Sequence, residues 1–121
     1  MTESTNRDAL ASLVKLELSA VIFVRDYVQF VLEGDEDSIL TMYQLPYISH
    51  DGCWYQPKVE GYRDCLCRLI GNKVLNAKVK EREQIAIHFE NGYEVYVSLC
   101  EEDYVGPEVA MLTQGKRISI W

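Results

Sequence analysis

The chain has 121 residues, 48% of them hydrophobic and 26% charged, the balance of a soluble globular protein that folds as one domain over 1–121. Its net charge of −7 offers no basic surface to a phosphate backbone, which argues against nucleic acid as a partner. No apolar run approaches the roughly 18 residues that cross a bilayer, and the longest, Ala20 to Val24, ends at Arg25-Asp26, so no membrane partner is expected.

The segment Met1 to Asp8 lacks the basic-then-apolar order of a secretion signal, so a cytoplasmic location is expected, with Cys53, Cys65, Cys67 and Cys100 as reduced thiols. The negative charge is uneven. Up to Pro57 there are nine acidic side chains against three basic ones, whereas from Lys58 onward the two signs nearly balance. An acidic first half suits a basic protein partner, or serves solubility alone.

Thr5 or Asn6 is placed to cap a short helix through Val14, with Asp8 in its first turn and Leu10, Leu13 and Val14 on one side. Leu16 to Val24 and Tyr27 to Glu33 are rich in β-branched and aliphatic residues and predict two strands linked at Arg25-Asp26. Gly34 to Asp37 is a polar turn whose three successive carboxylates, Asp35, Glu36 and Asp37, predict solvation. Ser38 to Leu45 predicts a third strand, stopped by Pro46. Pro46 to Glu60 shows no period and reads as a packed or functional loop.

Gly61 to Ile70 is the clearest helix of the interior, because Tyr62, Cys65, Leu66, Leu69 and Ile70 fall on one helical face and Gly71-Asn72 is a stop signal. Lys73 to Lys80 alternates, with Leu75, Ala77 and Val79 on the dry side. For the next hairpin, a two-residue turn would set Phe89 against Glu94. A three-residue loop, Glu90-Asn91-Gly92, sets Phe89 against Tyr93, Ile87 against Val95 and Ile85 against Val97, which keeps one face apolar and predicts positive φ at Gly92. Glu101 to Gln114 reads as irregular with a helical turn after Pro107, and Arg117 to Trp121 as a closing strand.

Ala9 to Val14 aligns with Cys65 to Ile70, and Phe30 to Glu33 with Ile87 to Glu90 one residue further along, so the chain reads as a pseudo-repeat of helix plus strands over 7–45 and 61–100. Either as a repeat or as chance likeness, the expected architecture is α+β: a mainly antiparallel sheet with a central helix and a short N-terminal helix packed on it.

The four cysteines with His50 and His88 do not match metal-site spacing, since Cys-x-Cys on a helix points its thiols roughly 200° apart, and no metal or cofactor is expected. No phosphate loop, nucleophile elbow or dinucleotide fingerprint occurs, which lowers the expectation of an enzyme. Trp54 and Tyr55 with the acidic Asp35, Glu36, Asp37, Glu101, Glu102 and Asp103 compose the candidate partner-binding set, aromatic anchors beside charge. The alternative is a small-ligand binder or enzyme that uses His50, Cys53 and Trp54 of the 50–55 loop.

Val24 to Phe30, Gly61 to Gly71 and Glu102 to Glu108 together resemble a family of small bacterial cytosolic proteins of unknown function, with the likeness running from Leu13 to the C-terminus. That family brings no established activity and no catalytic residues. A looser resemblance, in size, charge and architecture, is to immunity proteins of bacterial toxin systems. It implies a non-enzymatic binder, monomeric or homodimeric, that neutralises a basic toxin domain of nuclease type, with Arg25, Asp26, Tyr27, Tyr62, Arg63 and Asp64 holding the fold.

Overall fold

The computed structural model describes residues 9–34, 36–80, 82–103 and 108–121. The two aliphatic segments at the start are strands β1 (Glu17–Val24) and β2 (Tyr27–Glu33), joined by the two-residue turn Arg25-Asp26. They are followed by β3 (Ser38–Met42), β4 (Tyr47–His50) and β5 (Cys53–Tyr55), then by a helix at Tyr62–Cys67. The second half continues with β6 (Val74–Lys80), β7 (Gln84–Phe89), β8 (Glu94–Ser98), a 3-10 turn at Glu101–Asp103, β9 (Ala110–Gln114) and β10 (Arg117–Ile120).

These strands form two antiparallel five-stranded sheets, ordered β1-β2-β3-β9-β10 and β5-β4-β8-β7-β6. The expected mainly antiparallel α+β architecture is present with short helices, but the strands divide into two sheets where one sheet carrying a central helix was expected. Alternation along the strands gives each sheet a largely apolar inner face, with Phe30, Leu32 and Leu40 beside the buried polar Ser38 and Gln114 on the first sheet and Ile85, Ile87, Phe89 and Val95 on the second. A helix of six residues is too small to cover either face, so each sheet covers the other. Phe30 meets Phe89 edge to face across this core, ring centroids 6.4 Å apart.

The helices are correspondingly minor. Residues 9–11 are helical and bury Leu10, and the turn after them buries Leu13, while Thr5, Asn6 and Asp8 lie outside the described residues. The interior helix buries Tyr62, Cys65 and Leu66, its following turn buries Leu69, and Ile70 faces solvent. Gly71 has the expected positive φ of 90°.

The two halves correspond in detail. Lys15 donates its N–H to Val74 O at 2.8 Å, and Gly71 donates to Leu18 O at 2.8 Å; Leu18 donates to Asn72 O, and Val74 to Leu16 O. These bonds are exchanged by a single exchange of the halves, and Glu17 faces Lys73 at its centre. A bulge lies between Leu18 and Ala20 in β1, and another at the matching place between Val74 and Asn76 in β6. Each half then runs helix, three-stranded meander, hairpin. The hairpin β4-β5 joins the meander of the second half, and β9-β10 joins the meander of the first.

The expected register of β7 and β8 is present: Ile85 opposes Val97, Ile87 opposes Val95, His88 opposes Glu94, and Phe89 N bonds to Tyr93 O at 2.9 Å. Gly92 has φ 89°. Three expectations are corrected. Residues 46–60 are not a structureless loop, because β4 and β5 form a hairpin whose turn residues Asp51 and Gly52 have φ 50° and 79°, both positive as a primed turn requires. Leu75 is 62% exposed because the β6 bulge takes it out of the alternation and puts Val74 inside. Glu101 to Gln114 contains β9, and its helical turn precedes Pro107, with Glu108 and Val109 non-helical.

Candidate functional site

In β8, Val95 and Val97 point into the core, so Glu94, Tyr96 and Ser98 must point outward. The register then sets their neighbours: Tyr47 of β4 opposite Tyr96, Ser49 opposite Glu94, and Trp54 of β5 opposite Ser49. His88 of β7 completes the row beside Glu94. The Trp54 and Tyr96 rings lie 5.5 Å apart, His88 meets Tyr96 edge-on at 6.2 Å, and Tyr96 Oη donates to Glu94 Oε2. The outer face of the second sheet is thus an aromatic platform with a carboxylate held inside it. Burial first, then the hydrogen bond to Glu94 and its charge, push the Tyr96 phenol up to about 12.

The outer face of the first sheet is built differently. One row across it reads Ala20, Val31, Ile39, Thr113, Ile118 and the next Ile22, Gln29, Thr41, Met111, Ile120, with no charged side chain in either. The outer faces of the two sheets thus differ in character.

The two halves also differ at one internal place. In the first half Gln114 Nε2 donates to Ser12 Oγ at 2.7 Å and to the buried Ser38 Oγ at 3.1 Å. At the matching place in the second half Arg68 Nη1 donates to Tyr93 Oη at 3.4 Å, and the His50 ring stacks on Tyr93 at 3.9 Å. That hydrogen bond to Tyr93 is the main reason the Arg68 guanidinium is held above its ordinary value.

The expected partner-binding residues do not make one patch. Trp54 lies on the aromatic platform, but Tyr55 points the other way and packs against the core. Asp103 Oδ2 accepts from Ser98 Oγ at 2.6 Å, which places the 3-10 turn and exposed Glu102 at one end of that platform. Glu36 and Asp37 are exposed beside the first sheet instead, where Glu36 pairs with Arg117 at 3.1 Å. Asp35 and the Glu101 side chain lie outside what is described. Of the alternative set, Cys53 is exposed at the hairpin, and His50 is engaged with Tyr93 and lies 3.7 Å from Asp51. Tyr47 and Tyr96 of this platform were not among the residues expected to bind a partner. The Asp51-Gly52 turn was a sequence signal for the β4-β5 hairpin, though not for its pairing with β8.

Arg25 and Tyr27 line one cleft with Tyr62, Arg63 and Asp64, where Arg63 sits over the Phe23 ring at 5.6 Å, and Asp26 lines the neighbouring cleft. Only Tyr62 is buried, with Oη donating to Pro46 O at 2.6 Å; burial raises its phenol well above the ordinary range. Among the described residues no three His, Cys, Asp or Glu side chains are placed to share a metal ion, and no helix is long and apolar enough to cross a membrane. Compared with family models, curated proteins and solved structures, the chain matches none.

Proposed function

We propose that the chain is a non-enzymatic binding protein that takes a basic protein partner on the outer face of the second sheet, in the way an immunity protein neutralises a toxin domain. Trp54 carries this reading. It is 57% exposed on an edge strand, yet its ring is braced by Tyr96 and so presents area at little entropic cost. Tyr47 widens the apolar centre, while Glu94, Glu102 and Asp103 add acid at the platform and its end. A net charge of −7 steers a basic partner toward the molecule.

The test is a side-by-side capture from extract of the source cells at low salt with wild type, Trp54→Ala and Tyr96→Ala. A stoichiometric basic protein held by wild type, released by salt and lost from both variants supports the reading. Equal retention by the variants, or a complex indifferent to salt, overturns it.

The two uncharged rows of the first sheet favour a second reading, a homodimer through that face, because copies of an acidic chain approach best where neither carries charge. Sedimentation of wild type and Ile39→Lys decides it: a monomer throughout rejects the dimer.

A further inference from the structure

The halves also differ at a hairpin tip. In the second half the β6-β7 turn, one residue longer than its counterpart, is tied to the chain after β8 by Leu99 N–H to Glu83 O at 2.9 Å. In the first half the shorter turn Arg25-Asp26 makes no such bond to residues 43–45 among the described residues, and the space stays open. Two clefts result, of about 570 and 610 Å³, within the ~300–1,000 Å³ span of small-molecule sites. They share Arg25, Leu45 and Lys58 as a common waist.

We infer that this waist binds a small organic anion, a carboxylate or phosphate on a flat apolar body. Arg25 and Lys58 have no ion-pair partner among the described residues, and no carboxylate is shared by both clefts. Asp26, Glu60 and Asp64 stand on the flanks, so each cleft keeps one net positive charge on a chain of net charge −7. Unneutralised cations beside a concave apolar wall are what an anionic head group requires. The wall is Phe23, Val24 and Val59, all unusually exposed for their type. Lys58 is held at φ 72°, a conformation costly for a residue with a Cβ, which sets its side chain at the rim.

The experiment titrates isotope-labelled protein with phenyl phosphate and benzoate, and with benzyl alcohol as the neutral control, reading backbone amide shifts. We expect saturable shifts at Phe23, Arg25, Leu45 and Lys58, weakened as salt rises. The joint variant Arg25→Gln, Lys58→Gln should lose about tenfold in affinity while its other amide positions stay put. Equal binding of benzyl alcohol, shifts centred elsewhere, or no saturation by either anion overturns the inference. The salt dependence is read on wild type alone and decides the matter if the double variant does not fold.

Discussion

Lys15 and Gly71 occupy the same place in the two halves: each follows a helical turn with positive φ, 77° and 90°, and each donates its N–H to the other half's strand at 2.8 Å. One position carries the residue suited to that conformation and the other does not. Lys15→Gly relieves left-handed strain of about 1–2 kcal/mol against a loss of about 0.4–1 kcal/mol through the freer unfolded chain. A small net gain is expected in denaturant melts, and Gly71→Ala should cost about 1 kcal/mol by the reverse balance.

The Phe30–Phe89 contact ties one sheet to the other. Either ring replaced by alanine should cost about 3–5 kcal/mol. The double variant should lose less than the sum by about 0.5–1.5 kcal/mol, the direct ring–ring coupling. Urea unfolding of the four proteins measures this, and strict additivity would mean the rings do not interact.

Gln114 is the only donor shown to the buried Ser38 hydroxyl's oxygen among the described side chains. Gln114→Leu strands Ser38 and removes the tie to Ser12, so a loss of about 1–3 kcal/mol is expected. Adding Ser38→Ala should recover part of it, because both polar partners are then gone.

The Tyr62 phenol is raised by burial, so the folded state holds its proton more tightly than the unfolded state does. Its contribution is complete below the unfolded value of about 10 and is lost as the pH climbs toward the folded value. Wild type should therefore lose stability above about pH 10. Tyr62→Phe should cost about 1–2 kcal/mol at neutral pH through the lost bond to Pro46, with a shallower alkaline decline. Equal alkaline slopes would contradict the burial.

Tyr96 reports on the platform itself. Its phenol titrates at about 12 through burial and then Glu94. Glu94→Gln removes the charge, so the ultraviolet titration of that tyrosine should move down, while Trp54→Ala should expose the ring and act in the same direction. Neither change should unfold the protein, because both side chains stand on the outer face.

What the residues alone determined is local. Alternation in Gln84 to Ser98 set the β7-β8 register, since a slip of one residue would have buried Glu94 and exposed Ile87. The spacing of Tyr62, Cys65, Leu66 and Leu69 set the helix and its buried side, and Gly71 its end. Tertiary structure decided which strands share a sheet, because pairing of β3 with β9 and β8 with β4 joins segments far apart in sequence whose patterns fit many partners. It therefore also decided that Trp54 meets Tyr96 and that Arg25 stands across from Lys58. No periodicity records which outward-facing residues become neighbours, and both candidate sites are made of such residues.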